Sequence, residues 1–236
     1  MIRPVSFLRE TPLYILIAIV LVLLSLLQRI KGENSYIDTL VFLAFPGLIA
    51  GILFQLYPTI QGRSLQGRPL VYVNLALWLL SIVYFFIYGN INAYLNLLFC
   101  LSYLFIILVN TRRLRDPSVL FFLLGSLFYA SASLLNLKVS NPLFIKHLIN
   151  VGFFTSVVIG SYYIFVPMLQ IEDLERRSIP WINLLVQLLS TFLLSLSWYY
   201  SHYKLISYSG LLLLLSLGIL SYGVYHILSQ RRSPLK

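Results

Sequence analysis

The sequence predicts an all-α integral membrane protein of about eight transmembrane helices, arranged as two parallel four-helix repeats. Three observations carry that prediction. Eight apolar stretches are each long enough to cross ~30 Å of hydrocarbon. Charged residues make up 10% of the chain against 59% hydrophobic, with a mean hydropathy of +0.88, whereas soluble domains carry about 25% charged residues. Finally, the two halves of the chain align at one common offset.

The first stretch, residues 12–28, runs into Gln28, Arg29 and Ile30 without a small-x-small cleavage pattern, so it reads as a span and not as a removable signal. The polar joint RIKGENS, 29–35, leads to the second stretch, 36–58. TIQGRSLQGR, 59–68, precedes the third, 69–89, and a tight joint leads to the fourth, 91–110. TRRLRD, 111–116, links the halves. The fifth (117–137) and sixth (143–168) stretches follow, then QIEDLERRS, 169–178, then the seventh (179–200) and eighth (205–227). Backbone polar groups in lipid must be satisfied within the segment, so these spans are helices. They are too long and too uniformly apolar for barrel strands, which alternate over about ten residues. The expected organisation is a cytoplasmic N-terminus (1–11), repeat one (12–110), a cytoplasmic linker (111–116), repeat two (117–227) and a cytoplasmic C-terminus (228–236).

The net charge of +10 is explained by orientation and not by nucleic acid. With the N-terminus inside, the inner segments hold Arg3, Arg9, Arg63, Arg68, Arg112, Arg113, Arg115, Arg176, Arg177, Arg231, Arg232 and Lys236. The outer segments hold Arg29, Lys31, Lys138, Lys146 and Lys204. Twelve against five is the positive-inside bias of a cytoplasmic-membrane protein with both ends in the cytoplasm, and the inner cations suit anionic lipid. The single cysteine, Cys100, lies within a span and excludes both a disulfide framework and a thiolate cluster.

A shift of 109 residues aligns the second and third spans of each half without a gap. Gly51 meets Gly160, Pro58 meets Pro167, Arg68 meets Arg177 and Asn74 meets Asn183. Matched Gly, Pro, Arg and Asn at one offset signal a repeated unit. Each unit has an even number of spans, so both copies enter from the same side. Gly47 and Gly51 are four apart, as are Gly152, Ser156 and Gly160, which gives each helix a strip of small residues for close packing. Pro46 is expected to kink its helix, and Pro58 and Pro167 to end theirs. Asn74 and Asn183, early in their spans, are expected to bond a neighbouring helix.

Candidates for chemistry are few, and no catalytic residue is assigned. Three histidines are present: His147 near the outer end of the sixth span, His202 in the outer joint between the last two spans, and His226 at the inner end of the eighth. Only His147 and His202 lie at similar depth, so they are the candidate ligands of one cofactor, with His147 the metal ligand. The bland alternatives are an interfacial imidazole for His147 and a place in an aromatic belt with Tyr199, Tyr200 and Tyr203 for His202. Asp38, at the outer start of the second span, aligns with His147. There is no Walker motif, HExxH, nucleophile elbow or CxxC.

The sixth span, HLINVGFFTSVVIGSYYIFVPML from His147, resembles a ligand-bearing helix of heme–copper oxidase subunit I. His147, Gly160 and Pro167 keep the family's histidine–glycine–proline spacing. The second span, FPGLIAGILFQLYPTIQG from Phe45, is similar to the family's earlier heme helix through Pro46, Gly51, Pro58 and Gly62. The family's four-helix arcs also match the repeat unit. The histidine of the earlier heme helix is replaced by Ser35, and the histidines of the copper and high-spin heme sites are absent. The resemblance is therefore to a reduced, two-arc relative without an oxygen-reducing centre.

It implies a membrane subunit of a larger respiratory-type complex, surrounded by lipid and other membrane subunits, binding at most one heme of b or a type for electron transfer. Phe144, Phe153 and Phe154 would furnish an apolar slot for it. The alternatives are a cofactor-free structural or assembly subunit, and a carrier for a small solute. The carrier requires Gln55, Asn150, Thr155 and Gln187 to line one cavity.

Overall fold

A computed structural model describes residues 10–61, 64–111, 116–138, 142–168, 178–200 and 203–230. Among the described residues the chain is all-α, with eight helices long and apolar enough to cross a membrane. The first span is Thr11–Ile30. The second runs from Tyr36–Asp38 through a π-helical stretch, Thr39–Ala44, into Phe45–Gln61. The third and fourth are Arg68–Tyr88 and Ala93–Asn110, and the fifth is Pro117–Leu135. The sixth repeats the pattern of the second: Pro142–His147, π-helical Leu148–Phe154, then Thr155–Met168. The seventh and eighth are Ser178–Tyr199 and Tyr203–Gln230.

Local chemistry sets the ends. Gly89, in the left-handed region at φ 71°, closes the third span by donating its N–H to the Phe85 carbonyl. The Asn92 side chain opens the fourth by accepting from the Tyr94 and Leu95 N–H groups, a cap contributing about 1 kcal/mol. Asp116 accepts from the Ser118 N–H at the start of the fifth. Pro58 departs from expectation. The helix continues to Gln61, so Pro58 is inside it and does not end it. A proline removes one backbone donor without dissolving a helix whose faces are held by packing. Pro167 is the last residue but one of the described helix Thr155–Met168. Pro46, expected to kink the second span, follows directly on the π-helical stretch.

The chain forms two compact units, Met1–Arg112 with Tyr129–Ile145, and Arg113–Phe128 with Lys146–Lys236. The division runs through the fifth and sixth spans. Tyr129 and Ser133 belong to the first unit, where Tyr129 donates to Asn96 Oδ1 at 3.0 Å and Asn96 Nδ2 donates to Ser133 Oγ at 2.9 Å. Such bonds hold one apolar helix to another where no hydrophobic drive separates helix from lipid. The outward faces of the spans are apolar, with residues such as Leu16, Ile87, Phe105, Leu185 and Leu214 exposed, as lipid contact requires.

Within each unit, small residues let helices approach. In the first, a methyl group on Gly51 would come within 2.6 Å of Tyr14 Cβ, and one on Gly47 would overlap the Trp78 ring. In the second, a methyl on Gly160 would come within 2.9 Å of Phe121 Cβ, and one on Gly152 within 2.8 Å of Phe128 Cβ. Phe121 joins Ile159, Tyr163, Leu184 and Leu220 in the second unit's buried cluster.

Candidate functional site

The two π-helical stretches begin at Thr39 and Leu148, which is again the 109-residue offset. Opening a helix from i→i+4 to i→i+5 bonding displaces carbonyls from the regular ladder, and such bulges cluster at functional positions. In each copy, the third span of the repeat supplies a side-chain donor to one of these carbonyls. Trp78 Nε1 donates to the Leu43 carbonyl at 2.9 Å, and Gln187 Nε2 donates to the Val151 carbonyl at 2.6 Å. Trp78 and Gln187 are themselves 109 residues apart. In the second copy Thr155 Oγ1 also donates to the Asn150 carbonyl, five residues back.

Four residues before each donor in the chain lies the second repeated node. Asn74 is fully buried. Its Nδ2 donates to Ser102 Oγ at 2.7 Å and to the Phe99 carbonyl at 3.0 Å, and its Oδ1 accepts from Tyr14 Oη at 2.7 Å. Asn183 is equally buried. Its Nδ2 donates to Tyr163 Oη at 2.8 Å, and its Oδ1 accepts from Ser216 Oγ at 2.5 Å. Each asparagine thus joins its span to the next span of the repeat. Both are committed within their units and serve packing.

His147 is different. It closes the first helical segment of the sixth span, immediately before the π-helical stretch, and its side chain is exposed. It lies on a stripe with Leu143, Asn150, Val158 and Tyr162, all exposed at the spacing of one helix face. Its ring centroid is 5.7 Å from that of Trp198, near the C-terminal end of the seventh span. Phe153 is buried, whereas Phe154, half-buried, adjoins the stripe. Asp38, the first-copy counterpart of His147, is half-buried. His202 falls outside the described residues, as do Arg177 and Gly62, and so does the side chain of His226.

This arrangement limits how a heme fits. Gly152 and Gly160 of the sixth span lie against the Phe128 and Phe121 side chains of the fifth, so among the described residues those two positions are occupied by packed rings. The imidazole of His147 is accessible on the other side, among apolar neighbours and one indole. On that face His147 is the residue that would hold a heme iron, and the heme would supply one-electron chemistry there. Among the described residues no group of three or more His, Cys, Asp or Glu side chains is placed to hold a metal ion.

Of the four polar residues a carrier would need, Asn150 is exposed and Gln187 is 1% exposed with its amide bonded to the backbone. Gln55 and Thr155 are half-buried.

Sequence reasoning missed Tyr14, Trp78 and the buried cluster of Asn96, Cys100, Tyr129 and Ser133, in which Cys100 Sγ lies 3.0 Å from Ser133 Oγ. Aromatic and small polar residues are too common in spans to stand out unaided. The 109-residue offset was the available signal for Trp78, but its counterpart is a glutamine and the pair is invisible as an identity.

No family model matches the chain, and no solved structure matches it. The chain is similar to an uncharacterized protein of Aquifex aeolicus, 29% identical over 237 residues. The match covers 96% of this chain and 61% of that relative, so the chain spans about three-fifths of its length.

Proposed function

We propose that this chain is a membrane subunit without a catalytic centre of its own, working within a larger respiratory-type assembly, and that the exposed face around His147 receives a heme. The observation that carries the reading is the placement of His147. This imidazole stands on an outward stripe of an apolar span, with Leu143, Asn150, Val158 and Tyr162. Ionisable residues within spans are costly and tend to mark functional positions. The His147–Gly160–Pro167 spacing and the matching second span add the resemblance to a reduced oxidase subunit. Bound there, a heme would supply one-electron transfer. The chain's own contribution is one axial imidazole, the Trp198 ring beside it and an apolar wall. His202 is proposed as the second ligand. The positive-inside count supports a reading with both termini in the cytoplasm and the His147 end of the sixth span at the outer side of the cytoplasmic membrane.

A second reading is a cofactor-free assembly subunit, favoured by interiors filled by aromatic rings against glycine. Extraction of the chain from its native membrane in mild detergent separates the two. Heme co-purifying in a fixed ratio to the chain, and lost from His147→Ala, supports the first reading. A folded chain that brings partner subunits but no heme supports the second.

A further inference from the structure

We infer that the second repeat holds a bound water deep in the membrane, at Gln187 Oε1, in the place where the first repeat has the indole of Trp78. The inference does not depend on what His147 receives. Gln187 is 1% exposed, and while its Nε2 donates to the Val151 carbonyl, no described residue donates to its Oε1. A buried carbonyl oxygen left without a donor is costly, and more so at low dielectric. The orientation of the amide is fixed by its partner: rotating it would set oxygen against the Val151 carbonyl.

The first repeat shows what the same framework looks like when complete. Trp78 is fully buried, carries one donor and no acceptor, and spends that donor on the Leu43 carbonyl of the first π-helical stretch. Its ring occupies the space over Gly47. In the second repeat, glutamine replaces tryptophan and Ser156 replaces Gly47. A tryptophan side chain has ten heavy atoms and a glutamine five, and the serine returns two. At these two positions the second repeat carries three fewer side-chain heavy atoms, room on the scale of the ~30 Å³ of one water, and has gained an acceptor at that spot. The π-helical stretch adjoins it with the Asn150 and Val151 carbonyls, each of which has a second lone pair. Lost volume beside a buried acceptor is a site for a small hydrogen-bond donor, and water is the one that reaches it without a charge.

Gln187 lies nine residues into the seventh span, about 14 Å along a helix rising 1.5 Å per residue. The water is thus placed near mid-membrane and not at an interface.

Water–amide cross-relaxation in the NMR spectrum of the isotope-labelled full-length chain in micelles tests this directly. The Gln187 side-chain amide should show a cross-peak to water, and the Trp78 indole N–H should show none. The double substitution Gln187→Trp with Ser156→Gly, which installs the first repeat's arrangement, should fold and abolish water cross-peaks at the Val151 and Gly152 amides. A resolved Gln187 amide without a water cross-peak would overturn the inference. So would cross-peaks there from detergent alkyl protons in place of water, or water cross-peaks at Val151 and Gly152 that persist in a folded double variant.

Discussion

The two repeats solve one packing problem with different atoms, most clearly in their aromatic pairs. In the first, Tyr14 of the first span meets Phe54 of the second with ring centroids 5.8 Å apart, and the Tyr14 hydroxyl bonds Asn74. In the second, Phe121 of the fifth span meets Tyr163 of the sixth, also at 5.8 Å, and the Tyr163 hydroxyl bonds Asn183. Phe54 and Tyr163 are 109 residues apart, as are the two asparagines. The hydroxyl has moved from one ring of the pair to the other, while the asparagine it reaches has stayed. The centroid separations match but the ring orientations do not, 76° between planes in the first pair and 32° in the second, so what recurs is a buried amide with a tyrosine hydroxyl bonded to it from a neighbouring helix. Where the repeats part company is near the N-terminal end of the second span of each, with Asp38 in one and His147 in the other.

That equivalence can be broken most severely at the glycines. Gly51→Leu and Gly160→Leu each force a side chain into the neighbouring helix, and overpacking of this kind costs about 1–3 kcal/mol or more. Each should lower the unfolding midpoint in mixed micelles far more than leucine at exposed Val158. Equal tolerance of leucine at all three positions would remove the close contacts from the description.

The asparagines come next. Asn74→Leu and Asn183→Leu should each destabilise by about 1–2 kcal/mol, since each strands buried partners. Comparable losses at both would support functional equivalence of the nodes, and a loss at one alone would refute it.

The hydroxyl exchange gives a finer test. Tyr14→Phe should cost about 0.6–1 kcal/mol, the scale of a hydrogen bond within a membrane bundle. Adding Phe54→Tyr should recover most of that by building the second repeat's arrangement in the first. Failure of the double variant to recover, in a chain that folds, would show that the pairs are not interchangeable.

The smallest effect lies at Glu10, just outside the first span. Burial raises its carboxyl pKa, but the nearby Tyr72 hydroxyl, its own backbone and the Arg68 guanidinium 3.0 Å away outweigh that and leave it below the ordinary 4.5. A lowered folded-state pKa stabilises the fold above the unfolded value and loses that contribution as pH falls through the folded one. Stability should therefore drop on acidification from about pH 5 downward, and Glu10→Gln should flatten that part of the profile. Arg68 is half exposed, so the effect should stay below about 1 kcal/mol.

The spans were legible because length and apolarity leave a membrane helix few alternatives. The 109-residue offset was legible through Gly51 and Gly160, and through Asn74 and Asn183, both of which the structure buries in hydrogen bonds. Two features were not. The π-helical stretches add one residue to a turn in helices that are apolar all round, which leaves no polar stripe to reveal the slip. For the same reason nothing in the sequence showed which way His147 turns, since a helix without amphipathicity carries no record of its inner face. The role of Pro58 was misjudged because a proline signals a helix end in isolation, whereas here packing on either side of it carries the helix through.

The most direct test of the proposed role of the second repeat is the dithionite-reduced minus oxidised absorbance spectrum of the purified full-length chain. It should be recorded for the unaltered protein, for His147→Ala and for Asp38→Ala. The expected result is a sharp reduced α band that disappears in His147→Ala and survives in Asp38→Ala. A folded protein without Soret absorbance, or a band that survives His147→Ala, would contradict it.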